Sequence, residues 1–227
     1  MPGRYLLFLL LFITAGCNTA GAQDNFYIED PHMTFNGGLI LGANFTQVDG
    51  DTYSGYHKIG LNTGGIVYIH FNKTFGVSME LLYSQKGSRG ADMEQSVYVG
   101  TYIGKYFINL NYAEVPLLLH CILKLNGLSR SVDFEAGGSY ARLISAKEWA
   151  EMDQPVSIDP VRNHFNNVDV DYIFGVGMKL YKHWYADARF QYSLISIRPL
   201  DRIPYGFSYG DRGQFNNLVS LRLLYMF

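Results

Sequence analysis

From Phe35 onward, apolar and polar positions alternate with a period of two in eight separate stretches. Successive side chains of a strand point to opposite faces, so each stretch predicts a β-strand with one greasy and one wetter face. In the first, Leu39, Leu41, Ala43 and Phe45 oppose Gly42, Asn44 and Thr46. In the second, Ile59, Leu61, Thr63, Gly65, Val67, Ile69 and Phe71 oppose Lys58, Gly60, Asn62, Gly64 and His70. In the third, Phe75, Val77, Met79, Leu81 and Tyr83 oppose Ser78, Glu80 and Ser84. The fourth holds Ile108, Leu110, Tyr112, Val115, Leu117 and Leu119 on one face only if the parity slips near Ala113. That slip predicts a bulge, and Pro116, which lacks a backbone donor, is expected inside a sheet only beside one. The fifth sets Val132, Phe134, Ala136 and Tyr140 against Asp133, Glu135 and Ser139, and the sixth sets Val170 through Leu180 against Asp169, Asp171 and Lys179. The seventh opposes Trp184, Ala186, Ala188, Phe190, Tyr192 and Leu194 to Asp187, Arg189, Gln191 and Ser193. The last opposes Val219, Leu221, Leu223, Tyr225 and Phe227 to Asn216, Ser220 and Arg222.

The links between these stretches take turns in length. Short ones fall at Asn72-Lys73, Asn126-Gly127 and Lys182-His183; longer ones cover 48–54, 87–105, 146–167 and 198–214. Short turns at one end and long loops at the other, with both chain ends at the turn end, is the rhythm of an up-and-down transmembrane barrel with an even strand number. Closure follows from chemistry, because an open sheet edge in hydrocarbon would leave backbone donors and acceptors without partners. The predicted fold is therefore all-β: one eight-stranded antiparallel up-and-down transmembrane β-barrel over residues 36–227. Tyr83, Tyr112, Tyr140, Trp184, Tyr192, Tyr225 and Phe227 sit near strand ends on the greasy parity, where such barrels carry aromatic girdles at the lipid headgroups.

Composition narrows the picture further. A net charge of −2 and a pI near 6.3 give no basic footprint for nucleic acid. Arg4 followed by the apolar run Tyr5–Ile13 and the small residues Ala20 and Ala22 reads as a cleaved signal peptide over 1–22, leaving a short periplasmic segment at 23–35. Thr14-Ala15-Gly16-Cys17 offers a competing lipobox-like reading, in which Cys17 carries lipid. With the signal removed, Cys121 is the single remaining thiol, expected as a small hydrophobe on an aliphatic strand position.

If the greasy parity faces lipid, the other parity sends Lys58, Glu80, Glu114, Asp133, Glu135, Asp187, Arg189 and Arg222 into the lumen. Eight strands leave an interior just wide enough for side chains, so these charges are expected to pair as a structural network, with an ion path or narrow pore as the alternative. His164, with Ser157 and Asp159 near it in sequence, is the one arrangement that suggests a hydrolase at the outer rim. The remaining histidines lack metal-ligand spacing, and no phosphate-cradling glycine motif is present, so neither metal nor cofactor is expected. Loops 87–105 and 198–214 combine Tyr and Arg, the residues enriched in binding hot spots, and are the candidate surface for a protein or glycan partner.

Two longer passages carry a family resemblance. Glu80-Leu81-Leu82-Tyr83-Ser84-Gln85-Lys86-Gly87, after a Gly-rich second strand, and Tyr112, Glu114, Pro116, Leu117 and Leu118 in the fourth resemble the most recognisable stretches of the PorT-like outer-membrane β-barrel proteins of Bacteroidetes-type bacteria. The likeness covers most of the chain after Phe35. It implies export to a Gram-negative outer membrane, contact with outer-membrane lipid, and a structural or partner-binding role without catalysis. PorT itself is associated with protein secretion, which makes a secretion-associated barrel a further alternative. The final strand, ending Tyr225-Met226-Phe227, resembles the closing strand of such barrels; Tyr225 and Phe227 are then the signal read by the barrel-insertion machinery.

Overall fold

Each alternating stretch is a strand: β1 (Phe35–Asp49), β2 (Lys58–His70), β3 (Phe75–Arg89), β4 (Ile103–Lys124), β5 (Ser131–Met152), β6 (Val168–Tyr181), β7 (Trp184–Ser193) and β8 (Phe215–Met226). The computed structural model describes residues 35–51, 55–90, 103–124, 131–152, 159, 161–204 and 212–227. The expected signal peptide, Cys17, the link at Asn126-Gly127 and, in the two candidate outer loops, residues 91–102 and 205–211 fall outside these residues.

Every strand pairs antiparallel with its sequence neighbour, and β8 pairs with β1, so the sheet closes on itself. Paired residues followed once round the sheet run from Gly37 through Val67, Met79, Leu117, Gly138, Tyr172, Tyr192 and Asn217, then return to β1 at Gln47, ten residues on. That stagger tilts the strands and sets an interior that side chains fill. The turns are tight. Phe71 and Asn72 N–H both donate to Phe75 O, at 3.0 and 3.2 Å, and Asn72 Oδ1 accepts from the Thr74 and Phe75 N–H groups, each at 2.8 Å. Between β6 and β7, Lys182 takes a left-handed φ of 43°.

Even-numbered residues point inward on β1–β4 and β8, and odd-numbered ones on β6 and β7. Leu41, Met79, Leu81, Leu117 and Leu119 are among the outward side chains, each more than half exposed. In an aqueous protein such a belt would be costly; in a bilayer it is the solvent-facing side. Trp184, Tyr225 and Phe227 make edge-on contacts at the turn end, while Tyr172, Tyr192 and Phe215 stack toward the loop end.

Several expectations need correction. β4 alternates without a slip: Ile108, Leu110, Tyr112, Glu114, Leu118 and His120 all face in and are buried, while Val115, Leu117 and Leu119 face out. Tyr112, fully buried, belongs to the interior and not to a girdle. Beside Ala113 the irregularity lies instead on β5, where the pairing passes from Asn111↔Ser145 to Tyr112↔Leu143 and leaves Ile144 as the extra residue; a second shift falls at the start of β4, between Ile103 and Lys105. Pro116 breaks the β3 ladder without shifting it: the pairing goes from Met79↔Leu117 to Leu82↔Glu114 in one register. β4 and β5 also run 22 residues each, so stretches of the expected outer links are strand. They continue because their inner face still has apolar partners, Tyr106, Ile108 and Leu110 packing with Phe165, Ile197 and Ile203. Cys121 is buried on β4, 6% exposed.

Candidate functional site

The lumen is filled in layers. At the turn end, Ile40, Ile66, Tyr68, Ile122, Tyr185, Leu224 and Met226 form a buried apolar plug. Against it lies a hydrogen-bonded trio from three neighbouring strands. Ser78 Oγ is 2.7 Å from His120 Nε2, and His120 Nδ1 is 2.7 Å from Asp133 Oδ2. These contacts are satisfied when Nδ1–H donates to Asp133 and the Ser78 hydroxyl donates to Nε2. The order of groups is that of a nucleophilic serine site. Ser78 is only 1% exposed, however, and the ring of Tyr68 packs on His120 at 4.7 Å, so a substrate carbonyl has no place beside the hydroxyl.

Mid-lumen, two arginines hold three carboxylates. Arg189 donates from Nη1 and Nη2 to both oxygens of Glu80, at 2.9 and 2.7 Å, and from Nε and Nη2 to Glu135, at 2.6 and 2.8 Å. Arg222 donates to Glu80 at 2.8 Å and forks onto Asp187 at 2.8 and 2.6 Å. Charged pairs this deep stand only when every donor and acceptor is engaged. The sequence makes room for them: a Cβ at the inward Gly175 would collide with the Glu135 carboxylate and sit 2.8 Å from Arg189 Cγ.

Above this cluster comes an amide and hydroxyl layer, with Asn44 donating to Ser84 and accepting from Asn62 and Ser220. A second charge cluster follows. Lys86 Nζ lies 2.7 Å from Asp171, 3.4 Å from Asp169 and 3.6 Å from Glu114, over the ring of Tyr112. The loop end is closed by the second apolar cluster, Val48, Tyr106, Ile108, Leu110, Phe165, Ile197 and Ile203. Arg198 latches it. Its guanidinium stacks on Phe165, forks onto Glu148 at 2.8 and 2.8 Å, and donates to Gln214 and to the Tyr106 hydroxyl, which itself donates to Glu148.

Glu80, Glu135, Asp187, Arg189 and Arg222 thus meet in one cluster, and Glu114 joins the Lys86 cluster. Lys58 points inward and is buried, but makes no ion pair with a described residue. Tyr225 and Phe227 lie at the turn end, in ring contact with each other. At the rim, His164 is exposed with Nδ1 facing Val161 O at 2.8 Å, Asp159 accepts from Val161 N–H, and Ser157 is outside the described residues. Among the described residues, His164 and Asp159 each engage the Val161 backbone and form no hydrogen bond with each other. Among the described residues no group of three metal-ligating side chains could hold an ion. The lumen charges expected from the sequence left out Lys86, Asp169, Asp171, His120 and Arg198, although Asp169 and Asp171 stood on the wetter face of the sixth stretch. Lys86 and His120 sit on inward parity and were legible had β3 been carried past Ser84 and the inward histidines followed, and Asp169 and Asp171 needed only to be counted with the other inward charges. Arg198 lies outside any strand and gave no periodic signal.

Known proteins provide the last observation. The outer membrane protein beta-barrel domain family matches residues 22–198. No curated protein matches the chain. Among solved structures, the attachment invasion locus protein Ail of Yersinia pestis is similar at 13% identity and a TM-score of 0.42, covering 86% of this chain and all of that one. Another structure of that protein, in complex with the heparin analogue sucrose octasulfate, is similar at 14% identity and a TM-score of 0.41, over the same shares. Neisserial surface protein A is similar at 10% identity and a TM-score of 0.44, covering 86% and 98%.

Proposed function

The chain belongs to the outer membrane protein beta-barrel domain family, and on that premise we propose that it is a sealed barrel of PorT-like type that works through its outer end, as a structural or partner-binding protein without catalytic turnover. One observation carries this reading: the lumen is packed from end to end, apolar plug, arginine cluster, amide layer, lysine cluster, apolar cap. Water and ions crossing it would have to force open both apolar clusters and both bonded charge clusters, and the Ser78–His120–Asp133 trio is shut inside the same packing. The proposal includes export by the segment 1–22, insertion guided by Tyr225 and Phe227, and recognition of a protein or glycan by the loops at 87–105 and 198–214. Planar bilayers test the seal directly. The full-length barrel reconstituted alone is expected to give no discrete current steps at any applied voltage. Steps whose size changes in Glu80→Gln would replace the sealed barrel with a narrow pore.

A further inference from the structure

The outward faces of β3, β4 and β5 change character abruptly past their lipid-facing stretch. Cross-strand rows can be read off the register. Beyond Val115↔Tyr140 come Tyr83–Ala113–Arg142, Gln85–Asn111–Ser145, Gly87–Asn109–Lys147 and Arg89–Phe107–Trp149. All belong to the face that looks at hydrocarbon lower down, so they look sideways over the membrane surface and not up into solution. Arg89, Arg142 and Lys147 are exposed, and none forms an ion pair with a described carboxylate. Between them runs a ladder of neutral donors and acceptors: Gln85 Nε2 donates to the Tyr83 hydroxyl and to Asn111 Oδ1, and Asn111 Nδ2 donates to Ser145 Oγ. At the top, Phe107 and Trp149 stack at 5.9 Å with Trp149 half exposed.

We propose that this face binds the phosphorylated sugar headgroup of a glycolipid in the outer leaflet of the barrel's own membrane. The inference rests on the outer-membrane reading, with the loop end outward. The three cations lie within about 20 Å along the strands of Tyr83, the depth at which a headgroup begins beyond a girdle. Cations there match phosphate and find no competing carboxylate in the four rows. The amide ladder suits hydroxyls, and a flat exposed indole suits the apolar face of a sugar ring. On β1 and β8, by contrast, the loop end carries a carboxylate, Asp49, which accepts from Gln47 and Asn217. Lateral placement selects a membrane lipid over a soluble anionic glycan, which would approach from above.

Native mass spectrometry of the full-length barrel in detergent tests this, with purified diphosphoryl lipid A, its dephosphorylated form and sucrose octasulfate as probes. Wild type is expected to retain diphosphoryl lipid A over the other two. The triple variant Arg89→Gln, Arg142→Gln, Lys147→Gln should lose retention roughly tenfold or more, since each basic residue near an anionic lipid surface contributes separately. Lys73→Gln, at the turn end, should retain it as wild type does. Equal retention by the triple variant, or sucrose octasulfate held as well as lipid A, would overturn the proposal. Each variant is first shown to keep the heat-resistant mobility of a folded barrel; failure of wild type in that control would count against the barrel reading and not against the lipid site.

Discussion

Arg189 bonds both oxygens of Glu80 and both oxygens of Glu135 from a position 4% exposed inside a membrane-spanning barrel. Removing one member of such a cluster leaves the others charged and unpaired, which in buried pairs costs about 3 to 5 kcal/mol. Arg189→Leu is accordingly expected to lower the urea midpoint of the refolded barrel by that amount of stability, read from tryptophan fluorescence. A loss under about 1 kcal/mol, the range of exposed pairs, would show that the cluster is solvated and the lumen open. Glu80, Glu135, Asp187 and Arg222 were legible in the sequence because each sits opposite a greasy neighbour. Which of them pair was not legible, since partners come from β3, β5, β7 and β8, and only the ten-residue stagger brings them level. Glycine at 175 is meaningful only once that geometry is known.

β3 shows what a single strand contributes. Its odd positions Val77, Met79 and Leu81 face lipid, and its even positions Ser78, Glu80 and Lys86 supply one member to the serine–histidine trio and to each charge cluster. A basic residue on the lipid face near the midplane costs about 2 to 4 kcal/mol, so Met79→Arg should fold with an efficiency in lipid vesicles far below that of Lys73→Arg at the turn. Equal folding yields would contradict the assignment of faces. The existence and direction of all eight strands were legible in period-two patterning. β4 was misread because its inward face changes chemistry along its length, from His120 and Glu114 in the polar lumen to Tyr112, Leu110 and Ile108 under the apolar cap. A rule that equates greasy with outward must invent a slip where a strand leaves the polar interior for an apolar one. The irregularity nearest the expected one, at Ile144 on β5, falls where neighbouring residues give no alternation to violate.

For the molecule as a whole, closure and sealing have different origins. Closure is demanded by the backbone, which in hydrocarbon needs every donor and acceptor paired, and the alternation of short and long links announces it. Sealing depends on side chains from stretches of the chain that carry no strand pattern: Phe165, Ile197, Arg198 and Ile203 fold over the loop end and bond to β4 and β5. The architecture was therefore written in local periodicity, and the cap was not. The central claim is that neighbouring positions of one strand meet lipid on one side and packed polar groups on the other. Spin labels placed singly in the reconstituted protein at Val77, Phe190 and Leu221, and at their neighbours Ser78, Gln191 and Ser220, measure this through collision with oxygen, which partitions into lipid, and with a water-soluble nickel complex. The outward three are expected to be quenched by oxygen and spared by nickel, and the inward three to be sheltered from both. Nickel quenching at Val77, Phe190 and Leu221 would contradict the account.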